Sequence, residues 1–218
     1  MNISAQMVKE LREKTGAGMM DCKKVLEASQ GDLEQAMEML RQKGLASANK
    51  KSQRVAAEGI IESYIHTGAK VGVLLELNCE TDFVARRSEF QALAKDIAMQ
   101  IVASPSVEYV SVHDIPEEFI IEEKRIEAGR DDLANKPDTV KEKILEGRLD
   151  KRLKELSLVD QAFIKQTDIT VEELIKKTIA LLGENIQLKR FEKFEVGGGT
   201  AKKVNNFADE VAEILQKK

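Results

Sequence analysis

Glu76, Glu80 and Asp82 set three carboxylates close together in the chain. Such a cluster can pass protons in an acid–base enzyme, but an ordinary polar strand face accounts for these three better. The nucleophiles and metal ligands are sparser. Cys22 and Cys79 lie far apart, and with His66 and His113 they show no ligand spacing. Two histidines leave any Ser/His/Asp order arbitrary. Gly16 and Gly18 follow no strand and match no phosphate-loop pattern. The sequence therefore offers no catalytic constellation, and neither a cofactor nor a metal is expected. What remains is the chemistry of contact. Thr81-Asp82-Phe83-Val84-Ala85-Arg86 puts an acid beside a large aromatic ring where two regular elements meet. A turn held by rigid elements is a common place for groups that touch another molecule. Two plainer readings stay open: Phe83 folds back onto the core, and Asp82 caps a local turn.

The elements on either side are legible. Val71, Val73, Leu75, Leu77 and Cys79 alternate with their neighbours as in a strand. Phe90, Leu93, Ala94, Ile97, Ala98, Ile101 and Val102 keep helical spacing over about 88–103, with Ser88 and Gln91 as a capping box. Upstream, Ile60–Ile65 reads as a strand joined to Val71–Cys79 by a Gly68-containing turn, a hairpin. Residues 186–196 alternate again: Ile186, Leu188, Phe194 and Val196 share a face, and Phe191 on the other side hints at a bulge. These strands predict a three-stranded antiparallel sheet with helices over one face, an α+β fold rich in helix. Pro116 opens one helical segment, Thr139 with Glu142 caps a long one, and Thr170 with Glu173 caps another that ends at Gly183.

Residues 1–50 read as a three-helix module. Ser4 caps the first helix between Ile3 and Val8, and Thr15-Gly16-Ala17-Gly18 breaks it. Gly31-Asp32 starts the third helix, and Gly44 stops it. Met7 and Met37 belong to its core, whereas Met19 and Met20 are either core filler or an adaptable contact face. Residues 51–54 form a basic linker, 55–196 the core, and 197–218 an extension. In that extension Phe207, Val211, Ile214 and Leu215 mark an amphipathic C-terminal helix.

At 218 residues, 33% charged and 4% aromatic with no Trp, the composition suits a soluble protein and disfavours an oligonucleotide-stacking surface. No apolar run approaches a membrane span, the N-terminus lacks signal-peptide features, and unpaired cysteines suit a reduced cytoplasmic setting. Residues 1–54 carry 10 Lys+Arg against 7 Asp+Glu, and residues 55–196 carry 20 against 28. A mildly basic head on an acidic body favours a protein partner over nucleic acid.

Four stretches together resemble bacterial elongation factor Ts. They are Ser4-Ala5 with Lys9 to Arg12 and Thr15 to Lys24; Arg54 to Gly59; Leu75 to Arg86; and Glu142 to Leu149 with the ending Arg190 to Gly197. The resemblance runs along the chain and implies a guanine-nucleotide exchange factor, not itself an enzyme, for the GTPase elongation factor Tu. It implies that the N-terminal module is ubiquitin-associated-like and meets the partner's nucleotide-binding domain through Gly16, Ala17, Gly18, Met19 and Met20. It further implies that Asp82 and Phe83 intrude near the bound Mg²⁺ and the phosphate loop, with Thr81, Val84, Ala85 and Arg86 following the motif. Arg87-Ser88 departs from the commoner residues of the family. Longer members carry a duplicated half of the sheet core and a coiled-coil insertion, and this chain is expected to have room for neither. Short members imply a homodimer formed through the core. An adaptor that binds through the three-helix module, and a carboxylate enzyme built on Glu76 or Glu80, are the readings from other classes.

Overall fold

A computed structural model describes residues 3–133 and 136–198. The C-terminal helix expected around Phe207–Leu215 lies outside the described residues. The chain begins with three helices, α1 (Ala5–Thr15), α2 (Met19–Ala28) and α3 (Leu33–Lys51). Ser4 Oγ accepts from Met7 N at 3.2 Å and Asp32 Oδ1 from Gln35 N at 3.0 Å, so both predicted caps form. Val8, Leu11, Cys22, Val25, Leu26 and Ala36 build a small core of their own, with Met7 and Met37 packed at its edge.

The expected stop at Gly44 is corrected, because α3 runs on to Lys51. A mid-helix glycine costs about 1 kcal/mol against alanine, and here packing offsets that cost. A Cβ at Gly44 would lie 3.2 Å from the Ala180 methyl. The long α3 thus reaches out of the small core and buries Ala48 in the larger one. The boundary expected at residue 50 falls inside its last turn.

Strands β1 (Glu58–Ile65) and β2 (Val71–Cys79) form the hairpin, and β5 (Ile186–Glu195) pairs with β2, giving an antiparallel sheet of order β1-β2-β5. Opposite the Glu76–Leu77 step, β5 carries one extra residue, Lys189. The predicted bulge is real, and it inverts the alternation beyond it. Phe191 therefore joins Leu188 and Ile186 against the core, while Phe194 turns outward and is 60% exposed. That corrects the expected shared face of Ile186, Leu188 and Phe194.

Two helices cover the inner face. One is α5 (Ser88–Ala103), which contributes Phe90, Leu93, Ala94, Ile97, Ala98 and Ile101. The other is α8 (Val171–Leu182), capped as predicted by Thr170. The α5 cap differs from expectation: Arg87 is the N-cap, and Ser88 is already helical, its hydroxyl turned to Glu89. A two-residue strand (Ala162–Phe163) and Gln166–Thr170 form a second, unforeseen ribbon, here β3 and β4. Gln100 ties it to α5, donating to Ala162 O and accepting from Ile164 N at 2.8 Å.

Between α5 and β3 the chain inserts α6 (Glu117–Ala128) and α7 (Asp138–Leu156), which pack chiefly on each other. These are the two helical segments expected after Pro116 and from about Thr139. Pro137, not Thr139, stands at the start of α7, its carbonyl taking Val140 N and Lys141 N. A proline's fixed φ suits a helix start. Among the described residues α6 buries none of its side chains, and α7 only Leu156. None of the described helices is long and apolar enough to cross a membrane.

Candidate functional site

The Asp82–Phe83 pair lies on a helical turn, α4 (Asp82–Ala85), between the end of β2 and the start of α5. Thr81 has an extended backbone and serves as its N-cap, Oγ1 accepting from Val84 N at 3.4 Å. Val84 and Ala85 are 8% and 6% exposed and join the sheet core, with Phe90 beneath them in the same cluster. One turn of helix can bury only one side, so Asp82 and Phe83 face the other way. Phe83 is 78% exposed, the highest value of any phenylalanine among the described residues. Of the two readings open for its ring, the one that folds it onto the core is ruled out. Asp82 accepts from Arg86 Nη2 at 2.8 Å, across one turn of the helix.

The turn is fixed at its base as well as beneath. Thr81 N and Oγ1 both donate to the Glu184 carboxylate, at 3.0 and 2.7 Å, and Cys79 Sγ donates to Thr81 O at 3.1 Å. Burial, chiefly, with Glu184 close by, pushes the Cys79 thiol up from its usual value. Glu184 was not among the expected residues. It lies 103 positions from Thr81, and no spacing rule connects them.

The N-terminal candidates occupy the break between α1 and α2. Gly16 closes α1 with φ +69, a left-handed backbone that favours glycine, and its Cα faces the Leu181 side chain. Ala17 is half-buried, and Gly18 caps α2. Met19 and Met20 are 44% and 65% exposed, which favours the contact-face reading over core filler. A shallow groove of about 750 Å³ runs from this break to the start of α5, lined by Gly16, Met19, Arg12, Arg87, Glu89 and Leu181 among others. Arg87, the family departure, hydrogen-bonds Glu89 at 2.6 Å and holds its carboxyl down at about 2. Gly16 and Met19 of the N-terminal break thus share a groove with Arg87 and Glu89, which follow the other candidate stretch in the chain.

The carboxylates do not gather. Glu76 accepts from Arg190 at 2.8 Å, Glu80 from Asn185 N at 2.6 Å, and Asp82 from Arg86. Each has its own partner, so the acid–base reading loses its geometry.

Comparison with known proteins falls in line with the four stretches. The family model described as Elongation factor TS matches residues 3–198. The chain is 66% identical over 218 residues to the chloroplastic elongation factor Ts of Pyropia yezoensis, covering 100% of this chain and 99% of the relative. It is 64% identical over 210 residues to elongation factor Ts of Synechocystis sp., covering 96% of each. To that of Gloeothece citriformis it is 65% identical over 210 residues, which is 96% of this chain and 73% of the relative.

Proposed function

This chain belongs to the elongation factor Ts family, a family of translation elongation factors, and on that premise we propose that it acts as a guanine-nucleotide exchange factor. It docks on GDP-bound elongation factor Tu, presses Asp82 and Phe83 toward the Mg²⁺ and the phosphate loop, and so releases GDP and lets GTP rebind. It turns over no substrate of its own. The compartment is the one where its partner translates, the cytoplasm in bacteria. Two of the relatives cited work under bacterial and plastid names.

The observation that carries this reading is the exposure of Phe83, at 78%, on a turn whose next two residues are buried. A large ring presented to water on a rigid base gains by entering a partner, because the scaffold has already been ordered before contact. Burying one Phe supplies about 1.5–3 kcal/mol, enough for one or two powers of ten in release rate. Larger accelerations draw on the rest of the interface, for which the groove beside Met19 and the exposed Met20 are suited. The coupling is reciprocal: nucleotide weakens the factor's hold on the GTPase as much as the factor weakens nucleotide.

The test is release of a fluorescent GDP analogue from elongation factor Tu by the wild-type protein and by Phe83→Ala. A wild type that accelerates release, and a variant slower by about ten- to a hundredfold, is the expected outcome. Fast release by both would move the mechanism off the ring, and no acceleration by the wild type would return the adaptor reading.

A homodimer through the core is part of the proposal. The sheet face turned away from α5 and α8 carries Ile61, Ile65, Leu74 and Phe194, exposed at 72%, 71%, 44% and 60%. Apolar side chains clustered on one strand face mark a surface that is covered in use. Sedimentation equilibrium should find a dimer for the wild type and a monomer for Leu74→Asp. A monomeric wild type would remove this part of the reading and leave the exchange activity untouched.

A further inference from the structure

The turn that carries Phe83 hangs from one side chain. Both donors of Thr81, its backbone N–H and its hydroxyl, go to the two oxygens of Glu184, at 3.0 and 2.7 Å. With its proton committed there, Thr81 Oγ1 keeps a lone pair for Val84 N, the capping bond that shapes α4. Among the described residues the Glu184 carboxylate forms no ion pair, so its charge is spent on these two neutral donors. A carboxylate acceptor makes such bonds shorter and stronger than a neutral one would.

The next residue extends the hold. Asn185 is 3% exposed; its N–H donates to Glu80 Oε1 at 2.6 Å, and its Nδ2 to Arg54 O at 2.7 Å and Ser52 O at 3.4 Å. Arg54 in turn meets Glu80 at 3.4 Å. Gly183, with φ +83, ends α8 and delivers these two residues to this point. One loop therefore grips the end of β2, the N-cap of α4 and the exit of α3. The exit of α3 is where the N-terminal helices join the rest of the chain.

We propose that Glu184 is a positioning residue for nucleotide exchange: by holding both donors of Thr81 it sets the direction of the Phe83 ring, and with Asn185 it ties that direction to the N-terminal helices. The proposal rests on the wedge reading of Phe83. It places a determinant of exchange about a hundred residues downstream of the exposed ring, on a side chain that need not touch the partner at all.

The experiment uses the full chain and elongation factor Tu, with GDP release followed over a range of factor concentrations. Glu184→Ala and Thr81→Val are expected to lower the saturating release rate about tenfold, the scale of one or two charge-assisted bonds. The half-saturating concentration should move less than about threefold, since the docking surface is intact. Thr81→Ser, which keeps both donors, should restore the rate, and Glu184→Gln, which keeps one acceptor, should fall between. The double variant Glu184→Ala/Phe83→Ala should be no slower than Phe83→Ala alone, because the latch works only through the ring. A Glu184→Ala protein at the wild-type rate, or losses that multiply in the double variant, would overturn the proposal. Amide hydrogen exchange at Thr81 and Val84 needs no partner and guards against failure of the exchange reading itself. Faster exchange there in Glu184→Ala, with α5 amides unchanged, supports the latch even if the wild type releases no GDP; unchanged exchange overturns it.

Discussion

Phe83 and Ile121 are both large apolar side chains in water, 78% and 60% exposed, yet they sit on opposite kinds of scaffold. Phe83 stands on a single turn with Val84 and Ala85 buried behind it, Phe90 below, and Glu184 fixing its cap. Ile121 stands on α6, which buries none of its residues and meets little but α7. The α6–α7 pair is held by half-buried contacts and by ion pairs at its surface, such as Arg152–Glu123 at 3.9 Å. Exposure alone therefore says little. An exposed ring on an over-determined base is organised for contact before any partner arrives. An exposed side chain on a self-supporting helix pair belongs to a region that opens at lower free energy.

The contrast breaks most decisively in stability measurements. Phe90→Ala removes a fully buried ring from under the turn and should cost about 3–5 kcal/mol in chemical denaturation. Ile121→Ala should stay within about 0.5 kcal/mol. Equal losses would mean that α6 is part of the core after all. Phe83→Ala sharpens the same contrast from the other side. It should leave the unfolding free energy within about 0.5 kcal/mol of wild type while slowing GDP release about ten- to a hundredfold. A variant that loses both together would make Phe83 a structural residue.

The readable parts of the chain were those governed by local rules. Ser4, Asp32 and Thr170 cap helices as their positions suggest, and the β1–β2 hairpin follows from alternation around a glycine turn. Asp82 and Phe83 stood out because an acid and an aromatic ring interrupt a strand-to-helix junction. The misreadings arose where a distant residue decides the outcome. Gly44 looks like a helix stop until Ala180 packs against it. Phe194 looks inward until the extra residue at Lys189 reverses the strand. Ser88 looks like a cap until α4 occupies the residues before it and leaves Arg87 as the extended one. Glu184 reads as an ordinary acid after a helix, and only the closed sheet brings it to Thr81.

A smaller test concerns what holds the α6–α7 pair. Arg148 hydrogen-bonds Asp132 through both of its terminal nitrogens and reaches Glu127 at 3.4 Å. Its guanidinium holds the Asp132 carboxyl below the usual value. A carboxyl depressed in the folded state contributes stability that is fully present above its unfolded pKa, about 3.9, and is lost as pH falls through the folded value. The helix pair should therefore loosen below about pH 4, ahead of the sheet core, and the methyl NMR signals of Ile126 and Val140 should report it. Arg148→Gln removes the cause. Its helix pair should be slightly looser at pH 7, more alike at high and low salt, and flatter in its response to acid. Because these side chains are in solvent, the effect is the smallest of the set. An Arg148→Gln protein that loosens over the same acid range as wild type would mean that half-buried apolar side chains of α7, such as Ile144, Leu145 and Leu149, hold the pair instead. The hairpin would then resemble the turn at Phe83 more closely than its exposure suggests.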